Sequence, residues 1–144
     1  MSDPFEPDPR IAAASAFLLD LELCQVRLQL DARWPWLVLL PRRADLTEIE
    51  QLSPGDRARL IEEVAEASAA VRAIGDALGR PVEKLNIGAL GNVVPQLHVH
   101  VLGRRRNDPA WPGPVWGVGI AEAYAETELA AARAAAAAVL SSAP

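Results

Sequence analysis

Apolar and polar residues alternate from Gln96 to Leu102, and this alternation limits how the chain can fold. Successive side chains of a strand point to opposite faces, so Gln96, His98 and His100 share one face. Such a strand belongs in an antiparallel sheet that packs its apolar face on a core. The other face then presents to a cleft the only two histidines of the 144-residue chain. The pattern therefore favours an enzyme site carried by a sheet.

Further apolar segments predict the remaining strands of this sheet. Leu23 to Leu30 and Trp36 to Leu40 flank a turn and predict a hairpin. Lys84 to Ala89 predicts another strand, which a glycine turn connects to the histidine strand from Gln96 to Gly103.

Helix signals are clearest in the middle of the chain. Ser53 is a good N-cap, Pro54 suits a first turn, and apolar residues recur at helical spacing as far as Gly79. Residues 10–19 predict a short helix, and Thr127 to Leu140 predicts an alanine-rich C-terminal helix. A hairpin, a long helix, a second strand pair and a C-terminal helix together predict an α+β domain on an antiparallel sheet.

Length and composition restrict the class of protein. The chain is long enough for one domain, and its net charge of -5 argues against a nucleic-acid partner. The single cysteine, Cys24, excludes an internal disulfide, and its apolar surroundings predict a buried, inert thiol. No basic segment typical of a signal peptide opens the chain, and the run from Ile11 to Leu19 is too short to span a bilayer. We therefore expect a cytoplasmic protein without a membrane partner.

The order of these parts resembles the histidine triad (HIT) family of nucleotide hydrolases and transferases. That family carries three histidines alternating with apolar residues, at the place occupied here by Gln96 to Leu102. It also has an amide residue on the preceding strand, a hairpin that ends in an apolar run and a proline, and a long helix. The resemblance covers about residues 22–104, and residues 105–144 add a loop and a helix to what we expect to be one HIT-like domain spanning 1–144. Residues 31–36 and 110–117 are similar to a bacterial branch of the family.

The resemblance implies a mechanism and a partner. His98 would attack the α-phosphorus of a nucleotide compound and form a nucleotidyl-histidine intermediate, while His100 would bond the phosphate oxygens or the leaving group. The scheme needs no metal and no other cofactor. The resemblance also implies a small-molecule nucleotide as ligand and a homodimer with a sheet extended across its interface.

The same resemblance assigns four residues to substrate binding. Asn86 corresponds to the amide that touches the transferred phosphate, and Asp31 to an acidic or amide residue that bonds the ribose hydroxyls. Asn92 and Val93 fall on the turn before the histidines, where many members have a hydroxyl residue and this chain offers only a backbone N–H. As alternatives, Asn86 is simply a residue next to a turn, and Asp31 simply starts a hairpin turn.

Two departures from the family pattern concern the site itself. Gln96 replaces the first histidine, and Trp36 stands five residues before Pro41, where many members have a further histidine. An amide can donate and accept hydrogen bonds but cannot carry a proton near neutral pH. We therefore predict slower turnover, a different leaving group or both; the alternative is that Gln96 is a solvated residue at a site already lost.

Two other clusters carry weaker signals. The run Arg104 to Arg106 would steer a polyphosphate or, more simply, form a solvated charged face. Trp111 and Trp116 lie in a loop rich in proline and glycine between Asn107 and Gly119, and are the better candidates among the tryptophans for contact with a ligand.

Other functions compete with the nucleotide hydrolase or nucleotidyltransferase. A catalytically weak nucleotide-binding protein would explain the missing imidazoles. A His-x-His metal protein is a further alternative, although no third strong ligand is evident from spacing. In the plainest alternative, both histidines are structural. Among substrates, dinucleoside polyphosphates, nucleoside phosphoramidates and nucleotide sugars all stay open.

Overall fold

Five antiparallel strands form one sheet in the computed structural model, which describes residues 5–141. The strands are β1 (Ser15–Asp20), β2 (Cys24–Gln29), β3 (Trp36–Pro41), β4 (Lys84–Gly88) and β5 (Val99–Arg104). The helices are α1 (Pro9–Ala14), α2 (Pro54–Ala77), α3 (Glu126–Ser141) and a short 3₁₀ turn at Ile49–Gln51. This arrangement confirms the expected α+β class.

The sheet order β1-β2-β3-β5-β4 places the histidine strand inside the sheet. On one side of β5, His100 lies opposite Val38 of β3, and on the other side it lies opposite Gly88 of β4. Val38 is compact and Gly88 has no side chain, so both neighbours leave room for the imidazole on this face of the sheet. The backbone of β5 is therefore hydrogen-bonded to a neighbouring strand on both sides.

Apolar residues form a cluster on each face of the sheet. The larger cluster buries one side of α2 and α3 against the sheet and includes Leu97, Val99 and Val101, as the alternation predicted. The smaller cluster lies on the opposite face and contains Trp34, Trp36 and Leu102. His100 contacts Trp36 and Trp116 and therefore lies on the tryptophan-covered face, and the ring of His98 lies next to it.

Local signals explain the ends of the long helix. The Ser53 hydroxyl accepts a hydrogen bond from the Asp56 N–H and so caps the first turn, where Pro54 has no N–H that would need an acceptor. After the helix, Gly79 has a φ of +69°, a conformation that glycine adopts without strain. No helix among residues 5–141 combines the length and apolarity needed to cross a membrane.

Two predicted elements differ from the structure. The short helix expected at residues 10–19 ends at Ala14, because residues 15–20 pair with β2 and become an edge strand. The histidine strand begins at Val99 instead of Gln96. The backbone N–H of Leu97 bonds the Leu46 carbonyl in the segment before α2, so residues 96–98 approach β5 without joining the sheet.

Gly103 lets β5 lie close to the segments that follow β2 and α2. A Cβ at this position would overlap the Val82 side chain and come within 3.0 Å of Pro35 Cγ. The Gly103 N–H also donates to the Pro35 carbonyl at 2.9 Å. The glycine after the histidine strand is therefore a packing requirement.

Candidate active site

His98 and His100 form a pair of adjacent, nearly buried imidazoles. Their ring centres lie 4.9 Å apart with the rings at 75°, and the residues are 8% and 9% exposed. The hydrogen bonds at each Nδ1 therefore decide which nitrogen carries the proton, and what each Nε2 can do.

The indole of Trp36 fixes the tautomer of His100. Its Nε1–H donates to His100 Nδ1 at 3.0 Å, so the proton of the neutral ring is on Nε2. Burial, and to a lesser extent the neighbouring His98, lower the pKa of His100 to about 4. At neutral pH the ring is uncharged and its Nε2–H is a hydrogen-bond donor. Trp36 therefore takes part in the site, at a position where the family resemblance indicated a missing histidine.

The carbonyl oxygen of Gln96 fixes the tautomer of His98. It lies 2.6 Å from His98 Nδ1, and a carbonyl only accepts, so this nitrogen carries the proton. The lone pair of the neutral ring is then on Nε2. The two imidazoles thus differ: one offers a lone pair at Nε2, and the other offers an N–H. An imidazole held in the first way is a competent nucleophile.

The side chain of Gln96 does not join the imidazoles. Its Oε1 accepts from the Asp8 N–H at 2.7 Å, and its Nε2 donates to the Glu6 carbonyl at 3.0 Å. Gln96 precedes β5, so the strand alternation that placed it beside His98 and His100 does not extend to it. Its amide is occupied by the N-terminal arm, the segment of residues 6–10 that leads into the first turn of α1.

A cavity of about 600 Å³ adjoins His98. Its walls come from the segment before α2, from α2 and from the β4–β5 connection. They comprise Thr47, Glu48, Ile49, Glu50, Arg57, Ala89, Leu90, Gly91, Leu97 and His98. This volume suits a small organic ligand. Arg57 brings a cation to this cavity, and no sequence signal distinguished it from other helix-surface arginines.

The four predicted substrate-binding residues are not gathered around this cavity. Asn92 and Val93 lie on the exposed turn beside it, with Val93 79% exposed and its carbonyl bonded by Arg10. Asp31 is buried and forms an ion pair with Arg33 at 2.8 Å. Its carboxylate also accepts from a backbone N–H of the C-terminal loop. A ribose would have to compete with these partners.

Asn86 lies on β4 in a neighbouring hollow. Its Oδ1 accepts from Arg104 at 2.9 Å, and Arg104 is itself buried in an ion pair with Asp108 at 2.8 Å. The expectation of a solvated arginine run is therefore wrong for Arg104, because a buried guanidinium needs a charged partner and finds Asp108 four residues later. The hollow is also lined by Gly88 and Trp116.

Trp116 covers His100 from the C-terminal loop. Its ring lies 5.4 Å from the imidazole in an edge-to-face arrangement and 6.3 Å from Trp36. Trp111, by contrast, lies over the Arg104 guanidinium at 5.5 Å. Of the two loop tryptophans that sequence reasoning selected, only Trp116 contacts a histidine of the pair in the described structure. Among residues 5–141 no group of three or more His, Cys, Asp or Glu side chains could hold a metal ion.

Comparison with known proteins gives one consistent result. Residues 11–107 match the model of the HIT domain. A histidine triad (HIT) protein from Sinorhizobium meliloti is 47% identical, with a TM-score of 0.85 over 94% of this chain and 97% of that one. A histidine triad protein from Bradyrhizobium japonicum is 39% identical, with a TM-score of 0.87 over 96% and 99%. One from Marinobacter aquaeolei is 38% identical, with a TM-score of 0.84 over 96% and 98%.

No curated protein matches the chain significantly. The family model covers more than half of the chain, and these three solved structures resemble it over nearly their whole length. The chain therefore belongs to the histidine triad (HIT) family, whose members are generally nucleotide-binding hydrolases or transferases.

Proposed function

We propose that the protein is a nucleotide hydrolase or nucleotidyltransferase that acts at the α-phosphate of a nucleotide compound through His98. The observation that carries this proposal is that the two imidazoles are opposite tautomers. His98 keeps its Nε2 lone pair because Nδ1 is bonded to the Gln96 carbonyl, and His100 keeps an Nε2–H because Nδ1 is bonded to Trp36. A nucleophile next to a neutral donor suits attack on a phosphate whose oxygens gain charge.

In the proposed reaction, His98 Nε2 forms a bond to the α-phosphorus while the bond to the leaving group breaks. The leaving group departs with that electron pair and takes a proton from water when its chemistry requires one. The positive charge that develops on the imidazole is stabilised by the Gln96 carbonyl at Nδ1. Water, or another acceptor, then attacks phosphorus, loses its proton to solvent, and releases His98 with its electron pair.

His100 acts in this scheme as a hydrogen-bond donor to a phosphate oxygen. Since its pKa is lowered to about 4, the ring is uncharged at neutral pH and has no acidic proton to give to a leaving group. Donation from Nε2 can nevertheless stabilise the charge on the phosphate oxygens. Because neither imidazole is assigned the role of a proton donor to the leaving group, the scheme suits substrates whose leaving groups need little protonation.

The test is nucleotide release from a dinucleoside polyphosphate, a nucleoside phosphoramidate and a nucleotide sugar, with mass spectrometry of the acid-sensitive adduct. Wild type should release nucleotide from at least one substrate and form the adduct, and His98→Ala should do neither. His100→Ala is the matched control, because it should still form the adduct, only more slowly. Equal release by wild type and His98→Ala would refute the proposal.

A catalytically weak nucleotide-binding protein is the second candidate. Its support is that the amide of Gln96, the Asn86 oxygen and the Asp31 carboxylate are already engaged within the chain. Nucleotide affinity in a calorimeter without any adduct would favour this candidate over the enzyme.

The proposal includes expectations about domain organisation, cellular location and oligomeric state. We propose that the chain forms one HIT-like domain of a bacterial branch marked by Gln96, and that it is cytoplasmic. We also propose a homodimer in which two β4 strands pair. Strand β4 ends the sheet and its Ile87 is 51% exposed, and an edge of this kind is open to pairing. Light scattering during size-exclusion chromatography would test the dimer.

A further inference from the structure

Gln96 links the N-terminal arm to His98. Its backbone carbonyl accepts the His98 Nδ1–H, and its side chain bonds Glu6 and Asp8. The carbonyl that orients the imidazole and the amide that holds the arm thus belong to one residue.

The sequence of the arm explains why an amide suits this position. Pro7 and Pro9 have no N–H, so Asp8 supplies the single backbone donor among these three residues. A glutamine amide presents an oxygen and an N–H side by side, which matches the Asp8 N–H and the Glu6 carbonyl. The two nitrogens of an imidazole point in different directions and do not offer this paired arrangement.

A second contact joins the arm to the same turn. Arg10 bonds both carboxylate oxygens of Asp8, at 3.1 and 3.0 Å, and its Nη1 donates to the Val93 carbonyl at 3.1 Å. The turn from residue 93 to residue 96 is therefore held by the arm at both ends. Residues 96–98 lie outside the strands, so the sheet does not fix the Gln96 carbonyl directly.

We propose that residues 6–10, through Gln96, position the carbonyl that orients His98 and thereby set the reactivity of this imidazole. Gln96 is in this view a positioning residue, and the arm is a functional part of the site. The inference rests on the proposed function for its kinetic consequence. Its structural consequence, a single His98 tautomer maintained by the arm, does not depend on any substrate.

The kinetic test compares Gln96→Leu and Arg10→Ala with wild type, using the substrate that wild type prefers. Both variants keep the Gln96 backbone carbonyl and remove one attachment of the arm. Since small misplacements of a reacting group are costly, we expect kcat to fall about 10- to 100-fold for Gln96→Leu with little change in KM. Gln25→Leu is the matched control: it makes the same chemical change on β2 and should leave kcat unchanged.

The substrate-free test is ¹⁵N NMR of the His98 ring in the full-length chain. Wild type should show a single tautomer protonated at Nδ1, whereas Gln96→Leu and Arg10→Ala should show a mixture and faster exchange of this proton. Gln25→Leu should look like wild type. If Gln96→Leu does not fold, Arg10→Ala on the exposed surface still decides the question.

The outcomes separate the two proposals. Unchanged kcat and an unchanged His98 tautomer in both arm variants would overturn the positioning role, even if His98 proves to be the nucleophile. A wild type that turns over none of the substrates would refute the proposed function, while the NMR comparison would still confirm or refute the role of the arm.

Discussion

The buried His100 should make the protein less stable as the pH falls from 7.5 to 5.0. Its pKa is lowered from 6.5 to about 4, so the unfolded chain binds a proton in this interval that the folded chain does not bind. Stability then rises with pH through this window and is lost as the pH falls towards the folded value. Applied to these two pKa values, linkage for a single site gives a loss of about 2 kcal/mol between pH 7.5 and 5.0.

Urea unfolding followed by tryptophan fluorescence, at one protein concentration and both pH values, measures this loss. His100→Gln is the informative variant, because its amide oxygen can still accept from Trp36 but does not titrate. The free energy of unfolding of the variant should depend less on pH, by about 2 kcal/mol over the same interval. Carboxylates that titrate below pH 5 contribute equally to both proteins. The reasoning fails if both proteins show the same pH dependence, or if NMR places the His100 midpoint near 6.5.

Three further predictions concern single side chains. Trp36→Phe should lower the free energy of unfolding by about 1–3 kcal/mol because it leaves the buried His100 Nδ1 unpaired, and ¹⁵N NMR should then show both His100 tautomers; a single remaining tautomer would count against the role of the indole. Glu63→Gln should cost about 1–3 kcal/mol in urea at unchanged kcat, since the buried carboxylate accepts two backbone N–H groups of β2 and its approach, and an amide has only one oxygen; an unchanged midpoint would contradict this. Gly103→Ala should lower stability by about 1–3 kcal/mol through overlap with Val82, and the double variant with Val82→Ala should recover most of the loss in thermal melts.

Local sequence signals were sufficient to predict those elements whose ends are determined by neighbouring residues. The long helix begins after Ser53 because the serine caps it, and a glycine follows its end, both within a few residues of the chain. Residues 15–19 were assigned incorrectly to a helix, because their strand state depends on pairing with β2, a contact that no local pattern encodes. The histidine strand begins at Val99 and not at Gln96, and this later start likewise accompanies a distant contact, the hydrogen bond from the Leu97 N–H to the Leu46 carbonyl.

The site divides in the same way. The closeness of His98 and His100 follows from their spacing of two residues, with His100 on β5 and His98 directly before it. The hydrogen bond between Trp36 and His100 joins residues 64 apart, and the bond between Gln96 and Asp8 joins residues 88 apart. The sequence could therefore indicate that two histidines expected in the family are absent here, but not what the replacing residues do.

The buried Cys24 has a practical consequence for studying the arm. Its side chain is fully enclosed, and burial, together with the neighbouring Glu63, raises the pKa of the thiol well above its usual range. A protonated, enclosed thiol reacts slowly with maleimides and other alkylating dyes. Since the chain has no other cysteine, the natural sequence already serves as an unreactive background for labelling. A cysteine introduced by Glu6→Cys would be the one thiol accessible to a dye, whose fluorescence anisotropy would report whether the arm is seated or released in solution.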